Sequence, residues 1–171
     1  IEFDHVSFTY PGTDREVLHN ICLSVAAGEK IAVVGQNGSG KSTFISLLTG
    51  MFTPDQGKVK IGGMDMEEHK RMLRRSISVI FQDFAHYEAS LRENITVSDA
   101  GRRLPDDEIL DMAKQIHVED VILEQPGGLD GMLGHLSQRG NTLSGGQWQK
   151  IALLRALYRA QAKILILDEP T

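Results

Sequence analysis

Apolar and polar positions alternate from the first residue: Ile1 and Phe3 share one phase, and Val6, Phe8 and Tyr10 continue one step out of it. A strand with an irregularity between its halves is predicted, ended by the turn chemistry of Pro11 and Gly12. Ile21, Leu23 and Val25 alternate again, and Ala27-Gly28 turns the chain into Lys30 to Val34. That run is apolar on both faces, as a central parallel strand would be. A helix is expected from about Lys41, with Phe44, Leu47 and Leu48 on one face and Gly50 as its stop. Pro54 to Gly57 reads as a turn into the alternating strand Lys58 to Ile61, closed by Gly62-Gly63. Glu67 to Arg75 reads as a solvated helix before a strand over Ile77 to Phe81.

From Phe84 to about Ala160 the pattern becomes mostly helical. Pro105 with Asp106, Asp107 and Glu108 makes a helix start with acids in its first turn, and Ile109, Ala113 and Ile116 form its stripe. Trp148, Ile151, Leu154 and Tyr158 stripe a later helix, and Lys163 to Leu167 is a further buried strand. The expected order is a β-rich start, an α/β core, a helical insert and a return to the core.

Composition narrows the class. The 171 residues suit one domain, with 41% hydrophobic and 24% charged residues, near the globular average. A net charge of -5 supplies no broad field for nucleic acid, which is not expected as a partner. Cys22 is the one cysteine, so no internal disulfide can form, and its strand-like setting suggests a small buried hydrophobe. No apolar run reaches the roughly 20 residues that span a bilayer. The first residues lack the basic start and apolar core of a signal peptide. Without an initiator methionine, the chain is expected to be a piece of a longer polypeptide, soluble by itself.

Gly35, Gln36, Asn37, Gly38, Ser39, Gly40, Lys41 and Ser42 match G-x-x-x-x-G-K-[ST] without a gap, between a strand-like run and an amphipathic helix. The glycines let the backbone curl so that N–H groups point at phosphate oxygens, and the helix start adds partial positive charge. Lys41 can meet the β- and γ-phosphates, and the Ser42 hydroxyl can ligate Mg²⁺. Asp168 and Glu169 end a hydrophobic strand, where open α/β sheets carry their ligands. Asp168 suits Mg²⁺ through water, and Glu169 can polarise the water that attacks the γ-phosphate. These features imply a P-loop NTPase and no more.

Leu143, Ser144, Gly145, Gly146 and Gln147 resemble the signature of the ATP-binding cassette (ABC) family, in the family's order before the Asp168 strand. Ser144 offers a hydroxyl, and Gly145 and Gly146 expose N–H groups at a helix start, a second anion site. The resemblance covers essentially the whole chain. It implies an α/β fold: a P-loop core with a parallel sheet, an N-terminal antiparallel β subdomain and a helical insert carrying the signature. Expected boundaries are 1–83 for the β subdomain and P-loop core, 84–160 for the helical subdomain and 161–171 for the Walker B strand. It further implies that Gln82 contacts Mg²⁺ and the attacking water, that Tyr10 stacks on adenine, and that Thr43 completes the nucleotide loop. Catalysis then falls to Glu169, Gln82 and Lys41, and Mg²⁺ to Ser42, Gln82 and Asp168. Two cassettes are expected to meet head to tail, with ATP between the Gly35 loop of one and Ser144 and Gly146 of the other.

Phe8 to Gly12, Phe81 to Asp83 and Ser90 to Ile95 resemble exporter cassettes, fused after a transmembrane domain and lying at the cytoplasmic face of the membrane. Gln138 stands where exporters commonly carry an acid. An importer ATPase and a soluble ABC ATPase of the repair or translation type remain alternatives. The family's D-loop and switch histidine lie beyond Thr171, and all six histidines precede Asp168. The expectation is therefore a chain that binds ATP but hydrolyses it poorly.

Overall fold

The computed structural model describes residues 1–134 and 143–168, and these divide into two compact units, Ile1–Ile77 and Ser78–Thr171.

The first unit is built on an antiparallel sheet ordered β2-β1-β3-β4: β1 (Glu2–Thr9), β2 (Glu16–Ser24), β3 (Gln56–Ile61) and β4 (Met64–Asp65). Strand β1 carries the expected irregularity. The register to β2 shifts between Phe3↔Leu23 and Val6↔Ile21, where His5 takes a positive φ of 51°, and again between Val6↔Ile21 and Phe8↔Leu18, where Asn20 takes 47°. The extra residue changes the phase, so Phe3, Val6 and Phe8 are all buried. Against them packs α1 (Lys41–Leu48) through Phe44, Leu47 and Leu48, with the Phe3 and Phe44 rings stacked at 4.2 Å. The C-terminal carbonyls beyond α1 are met by Arg74, which donates to Thr49 O at 3.0 Å and Gly50 O at 2.7 Å.

Three expectations change here. Residues 31–36 enter no ladder, and Ile31, Val33 and Val34 are 47, 49 and 88% exposed. A parallel strand exists only beside partner strands, and the sheet of this unit is made without this run. Cys22 is exposed rather than buried, because it alternates with Ile21 and Leu23 and so occupies the outer face of β2, its Sγ 3.5 Å from His5 Nδ1. The helix expected over Glu67 to Arg75 shrinks to α2 (Lys70–Leu73) and a 3₁₀ turn at Arg74–Ser76, with Leu73 its buried residue.

In the second unit, β5 (Ile77–Ile80) pairs with β6 (Ile164–Leu167). Between them lie α3 (Leu91–Thr96), α4 (Asp106–Gln115), α5 (Glu119–Leu123) and α6 (Gly145–Tyr158). The apolar stripes expected on α4 and α6 meet in one core, where Ile109, Ala113, Ile151, Leu154 and Tyr158 are buried beside Leu91 and Ile95. Capping boxes start two of the helices, Ser90 with Glu93 for α3 and Ser144 with Gln147 for α6. Strand β6 is less buried than its sequence suggests: Leu165 and Leu167 are 45 and 42% exposed, since β5 is its single partner among the described residues.

Candidate nucleotide-binding site

The loop from Gly35 to Gly40 is shaped by backbone that only glycine adopts without strain: Gly38 and Gly40 take φ of 78° and 94°. Close approach matters too, since a Cβ on Gly35 would lie 2.6 Å from Ser39 Oγ, and one on Gly40 would lie 2.9 Å from Leu18 Cδ2. Ser39 N–H donates to Gln36 O at 3.1 Å, which tightens the turn through Asn37. Lys41 Nζ folds back over the loop and donates to Gly35 O at 2.9 Å and Gln36 O at 3.1 Å.

Helix α1 leaves its first turn open to an anion. Gly40 is its N-cap, no side chain caps it and no acid stands in its first turn. The first intrahelical bond runs from Phe44 N–H to Gly40 O at 2.8 Å, so the N–H groups of Lys41, Ser42 and Thr43 precede the ladder. Ser42 is exposed at this end and Thr43 is buried. Thr43 has a partner that its sequence position did not announce: its Oγ1 lies 2.9 Å from the Tyr10 hydroxyl. The Tyr10 ring is therefore fastened beside the loop, edge-on to Phe8 at 5.1 Å and to Phe52 at 5.3 Å. Phe52 was missed in the sequence, although an aromatic ring placed just after the loop helix is the signal that could have found it.

The second unit holds the remaining candidates. Asp168 follows β6 directly, and its N–H donates to Ile80 O at 2.9 Å, so it stands at the end of β5 from which the chain leaves toward Gln82. Gln82 is exposed, two residues beyond that end. Glu169 lies outside the described residues, as do His135 and the segment from Leu136 to Asn141. At the head of α6, Ser144 N–H donates to Gln147 Oε1 at 2.9 Å and Gln147 N–H donates to Ser144 Oγ at 3.3 Å. The Gln147 side chain is thus engaged in capping. Ser144, Gly145 and Gly146 are exposed, and a Cβ at either glycine would meet nothing within 4 Å. Among the described residues no group of three or more His, Cys, Asp or Glu side chains converges as a metal site.

A glycine-built loop that opens an uncapped helix beneath a lysine, with an aromatic ring fastened alongside, defines a P-loop nucleotide-binding domain. Residues 18–171 match the family model described as ABC transporter, and the chain belongs to that family. It is 44% identical over 173 residues to the ABC-type transporter fsqE of Aspergillus fumigatus, covering 100% of this chain and 13% of that protein. It is 39% identical over 168 residues to the nisin transport ATP-binding protein NisT of Lactococcus lactis, covering 98% of this chain and 28% of that protein. The ATP-dependent lipid A-core flippase of Escherichia coli is 38% identical over 172 residues, covering 100% of this chain and 29% of the flippase. Among solved structures, a bacterial Atm1-family ABC exporter with ATP bound superposes with a TM-score of 0.86 at 35% identity, over 98% of this chain and 28% of that one. The chain therefore spans less than a third of the length of each of these relatives. No helix among the described residues is long and apolar enough to cross a membrane.

Proposed function

We propose that this chain is the ATP-binding and ATP-hydrolysing part of an exporter, and that the Gly35–Thr43 loop is its phosphate cradle. One observation carries the reading. Lys41 Nζ is drawn over the loop by Gly35 O and Gln36 O, above a helix start that offers N–H groups and carries no acid of its own. A triphosphate laid there accepts those N–H groups and the ammonium together. Tyr10, tied to Thr43, presents its ring to the adenine.

Mg²⁺, when bound, offsets phosphate charge; Ser42 offers it a hydroxyl, and Asp168 and Gln82 offer a carboxylate and an amide oxygen. Gln82 and Glu169 are the groups suited to orient and polarise the attacking water. Ser144, Gly145 and Gly146 form a second anion-binding turn that meets the nucleotide of a second cassette, head to tail. The relatives named for nisin transport and lipid A-core flipping support an outward direction of transport. A transmembrane domain in the same polypeptide then places this chain at the cytoplasmic face of the membrane.

The test is calorimetric titration of Mg-ATP into the chain and a Lys41→Ala variant, with circular dichroism to show that both are folded. Saturable binding that weakens at least tenfold in the variant is expected. Equal affinity in the two proteins would refute the assignment of the cradle.

A further inference from the structure

The signature turn opens α6 and Gln82 follows β5, and one contact joins the stretches that they begin. The His86 ring lies on Trp148 with centroids 4.3 Å apart and planes 9° from parallel. Trp148 is a buried residue of the first turn of α6, and its N–H donates to Ser144 O at 3.0 Å. The indole is therefore one turn from the N-cap. Two turns further along the helix, Arg155 Nη1 donates to Ala85 O at 2.9 Å, and its guanidinium sits 4.8 Å from the Tyr87 ring. Arg155 also donates to Asn94 O at 2.7 Å and Asn94 Oδ1 at 3.1 Å. Residues 84–87 have no regular secondary structure, so side-chain contacts of this kind set their place. His86 itself is exposed, a ring laid flat on a buried one.

We propose that His86 is a positioning residue for the signature turn. Its ring pins the loop that leaves Gln82 to the first turn of α6, so a displacement of the loop is delivered to Ser144, Gly145 and Gly146. Arg155 fastens the same loop at a second point. The inference rests on the proposed role of that turn as a nucleotide-binding element.

The experiment compares the chain with its His86→Ala and His86→Phe variants by amide hydrogen exchange. In His86→Ala the amides of Gln147 and Trp148 should exchange about threefold to tenfold faster, the range one aromatic contact spans. The amides of Leu154 and Tyr158 should be unchanged, and His86→Phe should restore protection. Unchanged exchange at Gln147 and Trp148, or failure of phenylalanine to restore protection, would overturn the proposal. So would protection lost equally along α6, which would make the stack a general fold contact. None of these readings uses nucleotide, so the cradle stands or falls separately on the Lys41→Ala titration.

Discussion

Replacing Tyr10 by phenylalanine should separate two jobs of one side chain. The change keeps the ring edges against Phe8 and Phe52 and deletes the hydroxyl that meets Thr43 Oγ1 at 2.9 Å. Thr43 is 4% exposed, so its own hydroxyl is left in a nearly dry setting. The lost bond and the unmet partner together should destabilise the fold by about 1–2 kcal/mol. Thr43→Val deletes the other partner at nearly constant volume. The double variant should then be destabilised little more than either single one, a coupling of about 1 kcal/mol. Urea unfolding followed by circular dichroism measures all four corners of the cycle. Additive effects would show that the hydroxyl pair contributes nothing and that the ring is held by packing alone. Nucleotide affinity should respond differently. Base–aromatic stacking is worth about 1–3 kcal/mol, so Tyr10→Ala should weaken Mg-ATP binding about tenfold or more, whereas Tyr10→Phe retains the stacking face and most of the affinity. Equal affinity in Tyr10→Ala and the unaltered chain would remove Tyr10 from the site.

The glycines of the loop should divide by space rather than by motif. Gly40→Ala forces a left-handed backbone on alanine, about 1–2 kcal/mol, and also drives its Cβ to 2.9 Å from Leu18 Cδ2. Gly38→Ala meets the first penalty but nothing within 4 Å, so thermal melting should show Gly40→Ala the less stable of the two. Acid should loosen the helical unit. Hydrogen bonding to Arg92 lowers the pKa of Asp106, and hydrogen bonding to Lys150 lowers that of Asp120. A carboxyl with a depressed folded-state pKa stabilises above its unfolded value, about 3.9, and loses that contribution as pH falls through the folded one. Melting temperature should therefore drop below about pH 4, and Arg92→Gln should flatten part of that drop. An unchanged acid profile in the variant would refute the assignment to Arg92.

The loop was legible because its chemistry is local: residue types at fixed short spacing decide the backbone conformation. Ser144 and Gln147 stand three apart and cap each other. Lys30 to Val34 misled because burial on both faces depends on partner strands that the run itself does not encode. Cys22 misled because hydrophobicity suggested an inward side chain while strand phase turned it outward. Nothing in the local pattern announces that Tyr10 meets Thr43, 33 positions along, or that His86 lies on Trp148. Such pairings arise only once sheet and helix are packed.

The bulge in β1 has a consequence for how this domain can change by inheritance. The extra residue near His5 lets Phe3 share a face with Val6, Phe8 and Tyr10; in an unbroken strand of the same residues Phe3 would face away from all three. Gly57 is bound to the same feature, since a Cβ there would come against the Asp4 and His5 carbonyl oxygens. Deleting one residue of this stretch would remove the bulge and still keep Phe3, Val6, Phe8 and Tyr10 on one face. Substitution at Gly57 would be tolerated only together with such a deletion. Descendants of this sequence therefore keep or lose the bulge and its glycine as a pair.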